Sequence, residues 1–157
     1  MNGCALHHVD LVVSSIERSL PFYRELLAPL GFHRISEVEG ERGETIWYLS
    51  GATCSIGLRE AQSEGRCDRY AIGLHHLAFS AASRAAVDER AHWLRERGAT
   101  IESGPREYDY VPGYYAVFFY DPDAIKLEVV HKPSEGDLAA EVRRLEARLQ
   151  RLEHERG

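Results

Sequence analysis

Two stretches of the chain, "LHHVDLVVS" at residues 6–14 and "LHHLAFSAA" at 74–82, state the same Leu-His-His-apolar theme. Neighbouring residues of a β-strand point to opposite faces, so each pair directs one imidazole toward a core and the other away from it. Val9, Leu11 and Val13 form an apolar row, which leaves His8, Asp10 and Val12 on the other face. In the second stretch Leu77 and Phe79 are the packing residues, and His76, Ala78 and Ser80 lie opposite. His7 and His75 then read as core-edge residues. A third group comes from "IKLEVV", where Leu127 and Val129 bracket Glu128 as Ile56 and Leu58 bracket Gly57. A carboxylate between two apolar neighbours needs a reason, because an unpaired buried charge is costly, and a cation would pair it. His8, His76 and Glu128 are therefore the candidate metal ligands: two neutral imidazoles and one carboxylate, with positions left open for substrate or water. That set favours Fe2+ or Mn2+, with Zn2+ or Ni2+ as alternatives. Asp10, beside His8 on the same face, is a candidate base, and Arg59 shares that face. Tyr115, in the tyrosine-rich run "REYDYVPGYYAVFFY", is a candidate hydrogen-bond donor to an oxygen at the metal. Singly, each of these residues has an ordinary reading as a hydrated polar group or a strand aromatic. Matched parity in two repeats is what groups them.

The repeat extends to the elements that must carry these side chains. "SIERSLPFYRELLAPLGF" follows the first histidine strand and "SRAAVDERAHWLRERGAT" the second, each with apolar residues at helical spacing. In the first, Ser19 is placed to cap the helix with Pro21 in its first turn. In the second, Gly98 is placed to end it. Each half then closes with strands. "ETIWYLS" and "ATCSIGLR" flank Ser50-Gly51, and "YYAVFFY" and "IKLEVV" flank Asp121-Pro122-Asp123-Ala124. Both halves read strand–helix–strand–strand–strand. Module one spans residues 1–60, a polar connection 61–73 and module two 74–133, together a single domain. Segment 134–157 is a separate C-terminal helix whose Leu138, Val142, Leu145, Leu149 and Leu152 follow heptad-like spacing. That stripe suits either packing on its own domain or pairing with a second subunit.

At 157 residues with a net charge of −6 and mixed signs throughout, the chain suits one soluble domain and lacks the basic face of a nucleic-acid binder. No run is long and apolar enough for a membrane span, and no secretory leader is evident, so a cytoplasmic protein is expected. Three cysteines, Cys4, Cys54 and Cys67, have no CxxC spacing and read as plain thiols.

The chain resembles the vicinal oxygen chelate superfamily, which includes glyoxalase I, extradiol dioxygenases, fosfomycin-modifying enzymes and bleomycin-resistance proteins. The resemblance covers about residues 4–131. It is carried by "HHVDLVV…SLPFYRELL…LGF", "HHLAFS" and "FFYDPDAIKLEVV" in that order. It implies an α+β fold in which two βαβββ modules form a cup-shaped mixed β-sheet around a metal. The implied activity is a metal-dependent one on a small substrate with vicinal oxygens, and a homodimer is expected. Glyoxalase I and related epimerases use four protein ligands, and Gly57 stands where the fourth carboxylate would be. One carboxylate with two histidines is most like the dioxygenase set. Ring-cleaving members differ, however, at Phe118, at Tyr110, Val111 and Pro112, and at Ala124, and fosfomycin-modifying members at Val9. Two alternatives stay open. One is a glyoxalase-type lyase or isomerase. The other is a metal-free protein binding a small molecule, of the antibiotic-resistance type, among Trp47, Tyr48, Tyr114 and Tyr115.

Overall fold

A computed structural model describes residues 6–154. The elements run β1 (His8–Val13), α1 (Ile16–Leu27), β2 (Arg34–Glu39), β3 (Thr45–Ser50) and β4 (Ser55–Glu60) in module one. Module two contains β5 (Leu77–Ser80), α2 (Arg84–Glu96), β6 (Ile101–Glu107), β7 (Tyr115–Tyr120) and β8 (Lys126–His131), and α3 (Glu135–His154) follows. Each helix begins at a serine whose side chain accepts a backbone N–H three residues on, Ser15 from Arg18 and Ser83 from Ala86. α1 thus starts one turn earlier than Ser19 suggested. Ser19 is fully buried inside the helix with its hydroxyl on Asp123, and Pro21 lies within the helix on its exposed side. Gly31 and Gly98 take φ of 96° and 65° after the two helices, left-handed values that cost glycine little.

The strands form two four-stranded sheets in the orders β1-β4-β3-β2 and β5-β8-β7-β6. β1 pairs with β4, and β5 with β8, in parallel; the other pairings are antiparallel, so both sheets are mixed. Register makes the repeat quantitative. Gly57 stands between Asp10 and Tyr48, and Glu128 stands between Ala78 and Phe118.

One face of each sheet packs under its helix, and the two halves share a core. Leu11, Val13, Tyr23, Leu27 and Leu58 belong to the same buried cluster as Val87, Leu94, Leu127 and Val129. Each such side chain contributes about 1.5–3 kcal/mol by leaving water. Polar contacts tie the start of α1 to the β7–β8 turn. The Tyr23 hydroxyl donates to Asp121 at 2.8 Å, the Ser14 N–H to Asp123 at 2.9 Å, and Arg18 pairs with Asp123 at 2.7 Å. Burial and then the neighbouring Asp121 carboxylate push the Tyr23 phenol well above its usual range. Within that turn Ala124 adopts φ 63°. No helix among the described residues is long and apolar enough to cross a membrane. Cys54 and Cys67 are free thiols, and Cys4 lies outside the described residues.

Candidate metal centre

β8 is buried from Lys126 to Val130, and alternation sends Leu127 and Val129 to the core and Glu128 to the other face. The Glu128 side chain is only 1% exposed, and its Oε2 lies 3.3 Å from His76 Nε2. Its Oε1 accepts a 2.6 Å hydrogen bond from the Tyr114 hydroxyl. Burial, and then that bond to a carboxylate, push the Tyr114 phenol up, so the proton stays on tyrosine and is directed at Glu128. His76 itself is a third exposed and packs edge-on to Phe118, 6.2 Å between ring centres. Tyr114 is held by a closed loop: Tyr108 N–H donates to the Tyr114 carbonyl at 2.9 Å, and the Tyr108 and Ser103 hydroxyls are 2.7 Å apart. Tyr108 in turn meets Phe118 edge-to-face at 5.2 Å. This face of module two is thus an aromatic wall around one buried carboxylate.

The next residue along β8 toward its start, on the same face, is Lys126. Its ammonium lies over the Phe118 ring at 4.7 Å and bonds Glu102 at 2.6 Å. Arg69 bonds the same carboxylate at 2.5 Å, and Tyr120 donates to it as well. Burial alone would raise the Glu102 carboxyl, but the bonds from Lys126, Tyr120 and Arg69 prevail and hold it at about 2. Burial and then the neighbouring His76, Lys126 and Arg69 lower His75.

Module one presents a different set at the corresponding positions. Asp10 Oδ2 accepts from Arg59 at 2.6 Å and from the Tyr48 hydroxyl at 3.2 Å, while Arg59 also pairs with Glu44 at 2.9 Å. The bond to Asp10 raises the Arg59 guanidinium further, and burial followed by the bond to Asp10 raises Tyr48. A Cβ at position 57 would run into Asp10 Oδ1 and lie 2.9 Å from Tyr48 Cε1. The Asp10 carboxylate therefore fills the space that a side chain at 57 would need. Its Oδ1 is buried without a hydrogen-bond partner, as is Arg59 Nε.

The expected site residues separate accordingly. His76 and Glu128 come together; His8 does not join them. His8 is exposed on the first sheet, with its Nδ1 2.8 Å from His7 Nδ1 and its ring edge-on to Tyr48 at 5.8 Å. The second histidine pair repeats this contact, with His75 and His76 Nδ1 atoms 2.7 Å apart. In each pair one ring donates and the other accepts. His7 and His75 are exposed rather than at the core edge, because both precede the strands proper. Among the described residues no three His, Cys, Asp or Glu side chains are grouped closely enough to hold one ion. Asp10 is committed to Arg59 and Tyr48. Tyr115 takes the opposite face from that expected: its hydroxyl donates to Asp88 of α2 at 2.7 Å, under Arg84. The tyrosine at the carboxylate is Tyr114. Counting back by twos from Phe118, which pairs with Glu128, would have found it. Trp47 also belongs to the core side, opposite Leu58. An open groove of about 1490 Å3 runs between the end of β1, residues 61–67 and the 122–125 turn, and none of His8, His76 or Glu128 lines it.

Residues 5–129 match the sequence profile of the Glyoxalase/Bleomycin resistance protein/Dioxygenase superfamily. The Bacillus subtilis protein YqjT is 33% identical over 131 residues, covering 80% of this chain and 97% of that protein. Its YwkD, from the same organism, is 34% identical over 129 residues, covering 80% and 94%. The crystal structure of a glyoxylase/bleomycin resistance protein/dioxygenase domain from Frankia sp. EAN1pec superposes with a TM-score of 0.67 at 25% identity, covering 86% of this chain and 95% of that one.

Proposed function

The chain belongs to the glyoxalase/bleomycin resistance protein/dioxygenase superfamily, and from that premise we propose that it is a divalent-metal-dependent enzyme acting on a small substrate with vicinal oxygens, most like a dioxygenase in its donor set. The observation that carries the reading is Glu128, a carboxylate 1% exposed with one oxygen on Tyr114 and the other turned to His76 Nε2. A buried charge with so few partners is costly, and a divalent cation between Glu128 and His76 would remove that cost. The donor chemistry fits: an imidazole nitrogen and a carboxylate oxygen suit iron, manganese, nickel or zinc. When bound, the ion would act as a Lewis acid toward two neighbouring substrate oxygens.

The chain's own residues have distinct parts. Tyr114 donates its hydroxyl hydrogen to Glu128 Oε1 and so keeps Oε2 facing His76. Phe118 and Tyr108 shield the carboxylate from water, which strengthens its hold on a cation. The third donor is His8, supplied by a second copy of the chain in a homodimer, since within one chain no third donor is grouped with His76 and Glu128 among the described residues. A two-fold pairing supplies both sites reciprocally. A four-donor set of the glyoxalase I kind is disfavoured, because Asp10 fills the space beside Gly57.

The test is metal analysis of the purified chain, of His8→Ala, of Glu128→Ala, and of an equal mixture of the two variants refolded together. We expect near-equimolar metal in the parent, loss in each variant, and partial recovery in the mixture, where mixed dimers rebuild one intact site. Loss in both variants without recovery would put His8 in the same chain's site. Metal unaffected by either substitution would end the reading.

A further inference from the structure

The C-terminal helix lies outside everything so far assigned. The superfamily match ends at residue 129, before α3 begins, and YqjT and YwkD are spanned almost end to end while leaving a fifth of this chain uncovered. Over Glu135–His154 every residue whose burial is described is exposed. That includes Leu138 (40%), Val142 (53%), Leu145 (52%), Leu149 (57%) and Leu152 (47%). Of the two placements open from the sequence, packing on its own domain is therefore not the one adopted. A lone helix of this length is marginal in water and draws its stability from burying an apolar face. Five large apolar residues in a single row are such a face, without a cover in one chain.

We infer that α3 pairs with α3 of a second copy of this chain as a short parallel two-stranded coiled coil. The spacing of 4, 3, 4 and 3 places Leu138, Leu145 and Leu152 at d and Val142 and Leu149 at a. In a parallel arrangement, leucine at every d with a β-branched residue at one a favours two strands. In that register Arg148 occupies g and Glu153 the following e, so each helix offers an Arg–Glu pair to its partner in both directions. The opposite side carries Arg143, Arg144, Gln150 and Arg151, a solvated face.

About two heptads are fewer than the three to four that mark a free-standing coiled coil, so the seam adds to a contact between the bodies. To that extent the inference rests on the homodimer proposed above. What α3 adds is a dimer contact that the compared relatives' matched region does not contain.

Site-directed cross-linking in the full-length chain tests it. Leu152→Cys, at d, should form a disulfide-linked dimer under mild oxidation about tenfold faster than Gln150→Cys, at b, because pairing raises the effective concentration of the two thiols. The parent chain, with its own three cysteines, sets the background. Adding Leu145→Asp should abolish the cross-link while leaving the unfolding midpoint of the body unchanged. Equal rates at the two positions, or a link indifferent to Leu145→Asp, would overturn the pairing. A link formed only between Leu138→Cys and Leu152→Cys chains would overturn the parallel register. Metal recovery in the His8→Ala and Glu128→Ala mixture is scored separately. Recovery without a tail cross-link refutes only the α3 contact, and a cross-link without recovery refutes only the shared metal site.

Discussion

The two modules share an element order and a strand register, yet their outward faces hold opposite chemistry. At the matched ladder position module two has Glu128 beside Phe118, and module one has Gly57 beside Tyr48. In module two the carboxylate is buried and directed by a neutral phenol, and its other oxygen faces an imidazole. In module one the carboxylate comes from the first strand instead, as Asp10, and a guanidinium already neutralises it. The flanking networks also differ in sign. Asp10 and Glu44 outnumber Arg59 in one network, and Lys126 and Arg69 outnumber Glu102 in the other. A duplicated scaffold thus fixes where a side chain can be, while the neighbours decide whether it is free to act. Among the described residues, the buried closing-strand carboxylate is Glu128 of module two, with one oxygen turned to an imidazole.

The largest expected effect lies in that contrast. Glu128→Ala should lower metal affinity by at least about 100-fold, more than is usual for groups that merely support a ligand. Asp10→Ala should lower it far less, because Asp10 is held by Arg59. Isothermal titration of each variant with Mn2+ compares them directly, and equal losses would erase the distinction between the modules.

Restoring symmetry should fail for a packing reason. Gly57→Ala is expected to destabilise the fold by about 1–3 kcal/mol, the usual cost of overpacking, since its Cβ would collide with Asp10. Combining it with Asp10→Ala should recover part of that loss. Urea unfolding of the two single variants and the pair gives the coupling, and additive losses would mean that Asp10 is not the obstacle.

A smaller effect separates the two faces of β7. Tyr114→Phe should reduce metal affinity by about tenfold, as for partners that orient a ligand. Tyr115→Phe should leave affinity unchanged, with at most about 1 kcal/mol lost from the bond to Asp88. The smallest effect is in acid. Glu102 is held at about 2 against an ordinary 4.5. Its contribution to stability is complete above the unfolded value and is lost as pH falls from about 4.5 through about 2. Lys126→Met should flatten the decline in stability over that window, measured by denaturant unfolding at successive pH values.

Much of this arrangement was legible beforehand. The alternation around Ile56, Leu58, Leu127 and Val129 placed Gly57 and Glu128 on a common face, and the structure keeps them there. Less legible were the contacts made by neighbours on other strands. Tyr115 looked as well placed as Tyr114, because both sit at the edge of a strand whose start is set by the 108–114 loop. The Asp10–Arg59–Glu44 network joins β1, β4 and the loop before β3; alternation placed Asp10 and Arg59 on one face, but nothing local announces Glu44. Ser19 resembled a helix cap because serine suits that place, but Ser15 took it and the helix gained a turn.

The sequence by itself determined the duplicated strand–helix–strand–strand–strand order, the faces of the strands and the family, because side-chain alternation and helical spacing are local properties of the chain. Tertiary structure decided which of the face-sharing residues meet. It brought His76 to Glu128, turned Tyr114 rather than Tyr115 to that carboxylate, and set His8 apart on the other sheet. Distances between residues far apart in the chain depend on how two sheets pack on a shared core, and no spacing along the chain encodes that packing.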